Sequence, residues 1–266
     1  MKISIVGNGR LAQALAKSFY IQGLEISQIL DIANFEQLYS FAETLKAKAI
    51  TSLNQLDGNV DFIIVSVSDA AISNVLQNIK ETKAIVLHTS GSTPITVFKE
   101  TKVSNYGVLY PLFTFSKDKE VDFKTIPFLL EANNSDNSKK IEQLVKVISE
   151  NYQFVDSTKR KDYHLSAVIV NNFTTHLLAY TQSYLKNKQL DFNLLAPIVE
   201  ETITKSFQTK NIADIQTGPA SRGDQIIMNE HIKMLSEDAS FQELYTLFSK
   251  SIINSQKKHQ KRNENL

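Results

Sequence analysis

His164 and Asn172 lie on one helix-period segment whose other residues are largely apolar, Leu165, Ala167, Ile169, Leu177 and Leu178 among them. An imidazole titrates near neutrality and can give or take a proton, and a carboxamide can orient a polar substrate. Val168, Asn171 or Asn172, Thr175 and His176 follow His164 at spacings of three and four, so they can share one face, with Lys161 extending the polar stripe. Buried polar groups need partners or a wet cleft, so the stripe is expected to line a cavity. The plainer alternative is a histidine that only packs.

Three further polar stretches follow apolar runs, where a strand would end. Ser66, Val67 and Ser68 precede Asp69, and Ser68 or Asp69 reads as a helix N-cap whose small neighbours leave room for a ligand. His88-Thr89-Ser90-Gly91-Ser92 is polar throughout, so His88 and Ser90 are candidates to line a substrate or else to close a hydrogen-bonded turn. No G-x-S-x-G surrounds Ser90, which argues against a hydrolase elbow. Tyr110 to Lys117 ends in a lysine that could hold an anionic group or simply be solvated. Arg222 offers a planar guanidinium that matches a carboxylate, or it pairs with Asp224 or caps a helix.

Gly7-Asn8-Gly9-Arg10-Leu11-Ala12 reads G-x-G-x-x-A directly after the apolar run Ile3–Val6 and before an amphipathic segment. The first glycine allows a tight strand-to-helix turn. The second lets backbone approach a diphosphate, and the small third residue lets helix and sheet pack closely. Backbone N–H groups at the helix start then hold phosphate charge. The ligand implied is a dinucleotide, NAD or NADP. Asp31 ends the second strand, where an acid accepts from ribose hydroxyls and repels a 2′-phosphate. Ala12 and Arg10 suit NADP instead; Asp31 tips the reading toward NAD. Asp31 could also be a loop acid capping the turn before Asn34.

These groups must be held by a regular frame. Ile3–Val6, Glu25–Leu30, Val60–Val67, Ala84–Leu87, Gly107–Pro111 and Pro127–Glu131 read as strands. Leu11–Gln22, Phe35–Lys46 and Ile72–Ile79 read as intervening helices. The alternation predicts an α/β domain, 1–154, with a mostly parallel sheet. From Asp162 to Lys186 no Gly or Pro interrupts a helical pattern, and further helices are predicted near Asn193–Gln208, Arg222–Ser236 and Phe241–Asn254. An all-helical domain, 155–254, therefore follows, then a basic and disordered tail, 255–266.

Lys and Arg number 29 against 28 acids, so the chain has no global field to gather nucleic acid or an anionic membrane. The absence of cysteine excludes disulfides, thiolate zinc sites and a cysteine nucleophile, and no metal is implied. No apolar run approaches the length of a membrane span, so a cytoplasmic protein is expected.

The whole chain to about Asn254 resembles the Rossmann-like proteins with a C-terminal domain of unknown function 2520, described as NAD(P)-dependent oxidoreductases. The resemblance rests on Gly7–Ala12, 88–92 and 110–117. In the helical half it rests on Asp156-Ser157, His164-Leu165-Ser166-Ala167-Val168, Asn172-Phe173-Thr174-Thr175-His176 and Gln216-Thr217-Gly218-Pro219-Ala220 with Arg222 and Asp224. It implies a two-domain fold like that of pyrroline-5-carboxylate reductases and 6-phosphogluconate dehydrogenases, and a homodimer formed through the helical domain. It also implies Ser-Arg at the end of the second strand in many members, whereas this chain has Asp31-Ile32. Related dehydrogenases place a lysine and, a turn on, an asparagine on the long helix; His164 and Asn172 stand here instead.

The function expected is hydride transfer between nicotinamide and a small carbonyl, imine or hydroxy substrate in an interdomain cleft. His164 would move the proton, Asn172 would orient the substrate, and Ser90, Lys117 or Arg222 would bind an anionic group. The rival reading is a non-catalytic dinucleotide sensor on the same fold.

Overall fold

Ile3 and Ile5 of the first strand point to one side of a sheet and Val6 to the other, and all three are fully buried. The same alternation holds in the neighbouring strands, where Phe62 and Ile64 face one core and Ile63 and Val65 the other. Strands covered on both faces read as continuous apolar runs, which is why they stand out in the sequence.

The structure, a computed structural model, describes residues 1–116 and 121–263. The order is β1 (Lys2–Val6), α1 (Arg10–Ile21), β2 (Glu25–Leu30), α2 (Phe35–Thr44), β3 (Lys48–Ile50), β4 (Phe62–Val65), α3 (Asp69–Asn78), β5 (Ile85–His88), β6 (Tyr106–Pro111), β7 (Phe128–Ala132), α4 (Ser135–Lys146) and β8 (Tyr152–Phe154). The eight strands lie in the order β3-β2-β1-β4-β5-β6-β7-β8, parallel throughout except for β6 against β7. Strand order reverses between β1 and β4, so the crevice beyond their carboxyl ends is the place where such sheets hold ligands. One core lies under α1, α2 and α4, the other under α3 and a turn at Ile95–Glu100.

Helices follow: α5 (Ser157–Ala167), a π-helical turn (Val168–Phe173), α6 (Thr174–Asn187), α7 (Ala196–Gln208), α8 (Pro219–Arg222), α9 (Gln225–Met234) and α10 (Ala239–Asn263). The long helix starts earlier than Asp162 because Asp156 caps it, its carboxylate accepting from the N–H of Lys159 at 2.8 Å. The chain divides into compact units at Met1–Asn172 and Phe173–Leu266, later than the 154/155 boundary expected from the sequence. The reason is α5, whose Arg160 is fully buried in the sheet unit. At the other end, α10 runs on to Asn263 instead of giving way to a disordered tail at 255. It meets no Gly or Pro that would stop it. None of the described helices is long and apolar enough to cross a membrane.

In the helical unit the buried side chains Ala220, Met228, Leu235 and Ser249 belong to α8, α9, α10 and the residue closing α9. No residue of α6 or α7 is buried, although Ile198 is 64% and Phe207 89% exposed.

Candidate functional site

β1 ends at Val6, and Gly7 turns the chain with φ +117°, a backbone that L side chains rarely adopt. A Cβ on Gly7 would also lie 2.1 Å from the carbonyl oxygen of Ser66, so the end of β4 itself demands glycine there. Gly9 differs. It N-caps α1 in ordinary extended backbone, and a Cβ added to it would meet nothing within 4 Å. Its glycine leaves open ground in front of the helix. Leu11 is half-buried and Ala12 is buried against the sheet, as the small third residue of the pattern should be, while Arg10 is exposed.

Among the described residues no side chain caps α1, and no acid lies in its first turn. Its first N–H groups are therefore available to an anion, with the helix dipole in favour. Asn8 adds to this. Its carbonyl and Oδ1 both accept from Gln13 Nε2, at 3.1 and 3.2 Å, while its Nδ2 is buried with no partner among the described residues. A donor left over beside an uncapped helix end fits the diphosphate of a dinucleotide.

At the end of β2, Asp31 Oδ1 accepts from the N–H of Ala33 at 2.9 Å, an Asx turn. Asn34 caps α2 by itself, accepting from Gln37 N–H at 3.1 Å. Asp31 is thus fixed by its own turn, and its Oδ2 has no hydrogen bond among the described residues.

Past β4, Ser66 is buried and accepts from Thr89 Oγ1 at 3.3 Å, tying the ends of β4 and β5 together. Val67 packs beside Gly7, with Cγ1 3.4 Å from where a Cβ would stand. Ser68 holds the N-cap position of α3 without a side-chain bond, and Asp69 accepts from Ser92 Oγ at 2.5 Å. Of the two caps the sequence offered, Ser68 takes the N-cap position, by its backbone alone, and the loop after β5 claims the carboxylate of Asp69.

The end of β5 and that loop also hold His88 and Ser90, the two residues expected either to line a substrate or to close a turn. His88 is fully buried and stacks on Phe98 at 5.8 Å, and its Nδ1 accepts from Ser90 N–H at 3.2 Å. Burial, helped by the nearby Arg160 charge, pushes its pKa down to about 3, so His88 is neutral and inside the core. Ser90 is buried too, and its Oγ accepts from the N–H groups of Ser92 and Thr93 at 3.1 and 2.9 Å. Both residues shape the turn; neither reaches an open surface.

What the turn presents is Gly91. A Cβ there would lie 2.7 Å from His164 Nδ1 and 2.7 Å from Tyr110 Cζ. His164, on α5, and Tyr110, near the end of β6, meet over this glycine with Oη and Nδ1 3.0 Å apart and rings crossing at 73°. Burial raises the Tyr110 pKa, Asp69 raises it further and Arg160 opposes both. The phenol therefore keeps its proton at neutral pH.

Arg160, one turn before His164, fixes α5 in place. Its Nη1 pairs with Glu131 on β7, and its Nη2 donates to the carbonyl of Thr93 at 2.6 Å and to Ser157 Oγ at 3.3 Å. Ser157 Oγ donates to Glu131 at 2.8 Å and accepts from Ile95 N–H at 2.9 Å. This buried knot joins the start of α5 to β7 and to the segment after β5.

Asn172 falls within the π turn and accepts from Asn171 Nδ2 at 2.8 Å. At about 100° per residue a uniform α-helix would place it about 80° round from His164. A π turn closes i→i+5, turns less per residue, and brings Asn172 back toward the face of His164. Lys117 lies outside the described residues. Arg222 is exposed at the C-terminal end of α8 in the helical unit, and Asp224 caps α9 through Ile227 N–H at 3.2 Å.

Tyr110, Arg160, Glu131 and Asp69 are what the sequence reading missed as site residues. A groove of about 1040 Å³ also starts at Asn8, Gly9 and Arg10, but it runs along the flank of α1 to Ser149. None of Ser66, Tyr110 or His164 lines it.

Comparison with known proteins agrees with this architecture. Residues 2–90 match the family described as NADP oxidoreductase coenzyme F420-dependent, and residues 126–252 match the domain of unknown function DUF2520. Among solved structures, BF3122 of Bacteroides fragilis, provisionally described as an NADP oxidoreductase, is 35% identical; 95% of this chain and 98% of that one align with a TM-score of 0.86. Protein TM1727 of Thermotoga maritima is 23% identical over 97% and 99% of the two chains, TM-score 0.72. A reductive aminase of Aspergillus terreus, solved with NADPH and ethyl-5-oxohexanoate, shares the fold at 13% identity, TM-score 0.74, over 94% and 93%. No curated protein matches.

Proposed function

Since the chain belongs to the family of Rossmann-fold NAD(P)-dependent oxidoreductases that carry the DUF2520 domain, we propose that it reduces or oxidises a small carbonyl, imine or hydroxy compound beyond the carboxyl ends of β1, β4 and β5. A bound nicotinamide would supply or accept the hydride. The chain's residues would hold the cofactor and handle the proton.

The observation that carries this reading is the open first turn of α1, with an unpartnered amide nitrogen on Asn8 and a glycine at 9 that no neighbour requires. Gly7, Asn8, Gly9 and Arg10 would receive the diphosphate, Leu11 and Ala12 would seat the helix on the sheet, and Ser66, Val67 and Ser68 would flank the cofactor. Asp31, with Oδ2 free of the chain, would take ribose hydroxyls, which favours NAD over NADP. His164 would pass the proton and Asn172 would orient the substrate.

The exposed apolar residues of α7, Ile198, Ile203 and Phe207, support a homodimer, since apolar surface of this kind is covered in stable proteins. Light scattering of the full chain would give a dimer mass, and Phe207→Glu would lower it.

Two measurements test the enzymatic reading. Calorimetric titration with NADH and NADPH should show tighter NADH binding, reversed in Asp31→Ser. His164→Gln should lower turnover of an active carbonyl or imine by about 10²–10⁴-fold with dinucleotide affinity retained. Binding without turnover across a broad panel, indifferent to His164→Gln and Asn172→Ala, would leave the sensor reading standing instead.

A further inference from the structure

A tyrosine that meets a histidine can act in two ways, depending on which partner donates. Here the crowding around the pair restricts the choice. Gly91 lies against Nδ1 and Cγ of His164, so that edge of the ring is closed by the backbone and by Tyr110. The opposite edge, with Nε2, belongs to a residue that is only half-buried. A phenol is a stronger donor than a neutral imidazole N–H, and an imidazole nitrogen is a stronger acceptor than a phenol oxygen. The stronger of the two arrangements therefore runs from Tyr110 O–H to His164 Nδ1.

We infer that Tyr110 is a positioning residue: its hydroxyl donates to His164 Nδ1, fixes the imidazole as the Nε2–H tautomer, and turns that proton toward the open side where a substrate would sit. The inference rests on the reading of His164 as the group that handles the proton. It adds the direction in which that group works, with Nε2 as the nitrogen that meets the substrate and Nδ1 as the one held by the protein. Gly91 belongs to the device, because a methyl group there would occupy the space in which the two rings meet.

The test is the imidazole nitrogen spectrum of the full chain labelled with ¹⁵N-histidine, the His164 signals being those lost in His164→Gln. The wild type should show one neutral tautomer, protonated at Nε2, with Nδ1 shifted as a hydrogen-bonded acceptor. Tyr110→Phe, which keeps the ring, should convert this to a mixture of tautomers while the His231 signals stay in place. A wild-type His164 protonated at Nδ1 would overturn the inference, and so would a Tyr110→Phe spectrum unchanged at His164. The wild-type spectrum alone decides the matter should Tyr110→Phe fail to fold. The parent reading is judged separately. An Nε2–H tautomer together with full turnover in His164→Gln would remove the acid–base role and leave the hydrogen bond as drawn.

Discussion

Tyr110 meets His164 at 3.0 Å and Tyr245 meets His231 at 2.8 Å, with rings crossing at 73° and 80°. The two pairs are nearly superimposable in kind, yet their surroundings differ. His231 and Tyr245 join α9 to α10, where Gln242 also reaches across to the carbonyl of Ile232 at 2.7 Å. That pair fastens two helices. Tyr110 and His164 instead sit at a strand end against a glycine turn, with a buried ion pair one helical turn away. The contact geometry of a tyrosine and a histidine therefore says little about chemistry. Their place relative to the sheet's ligand crevice says more.

The sharpest way to break this contrast is Arg160→Met. It strands the Glu131 carboxylate and should cost about 3–5 kcal/mol in urea unfolding, because one half of a buried ion pair is lost. A loss below about 1 kcal/mol would mean that α5 is held by something else. Next comes Gly91→Ala, which forces His164 and Tyr110 apart by the bulk of one methyl group. A displacement near 1 Å should lower turnover about a hundredfold. Dinucleotide affinity by titration should not change, and unaltered turnover would show that the pair tolerates separation.

Acid provides the third test. His88 is neutral in the fold down to about pH 3, whereas in the unfolded chain it takes a proton near 6.5. The unfolded state then binds the extra proton, so stability is full above the unfolded value and falls by about 1.4 kcal/mol per pH unit below it. His88→Phe, which keeps the stack on Phe98, should flatten that fall when unfolding is followed between the two limits. The smallest effect belongs to the helical pair. Tyr245→Phe should cost about 1 kcal/mol of stability, one hydrogen bond, and leave turnover untouched.

Much of the sheet unit was legible before its structure. Gly7, Gly9 and Ala12, set between an apolar run and an amphipathic segment, have the spacing of a strand, a tight turn and a close-packed helix, and the doubly covered strands are largely apolar. The short edge strands β3 and β8 carry too few residues to show a period. Arg160 sits in the polar run Lys159-Arg160-Lys161, and nothing in that run says which of the three turns inward. Its burial depends on Glu131 and Thr93, both distant in sequence. Tyr110 is similarly hidden, since its partner comes from a helix beyond β8. The π turn is invisible because no Gly or Pro marks it.

Because no side chain among the described residues caps the first turn of α1, a tightly held anion there would be a fold-stabilising partner as well as a reagent. Binding at a hundred times its dissociation constant adds about 2.7 kcal/mol to the folded state. Survival of the chain against heat or protease would then track how much dinucleotide the surroundings hold.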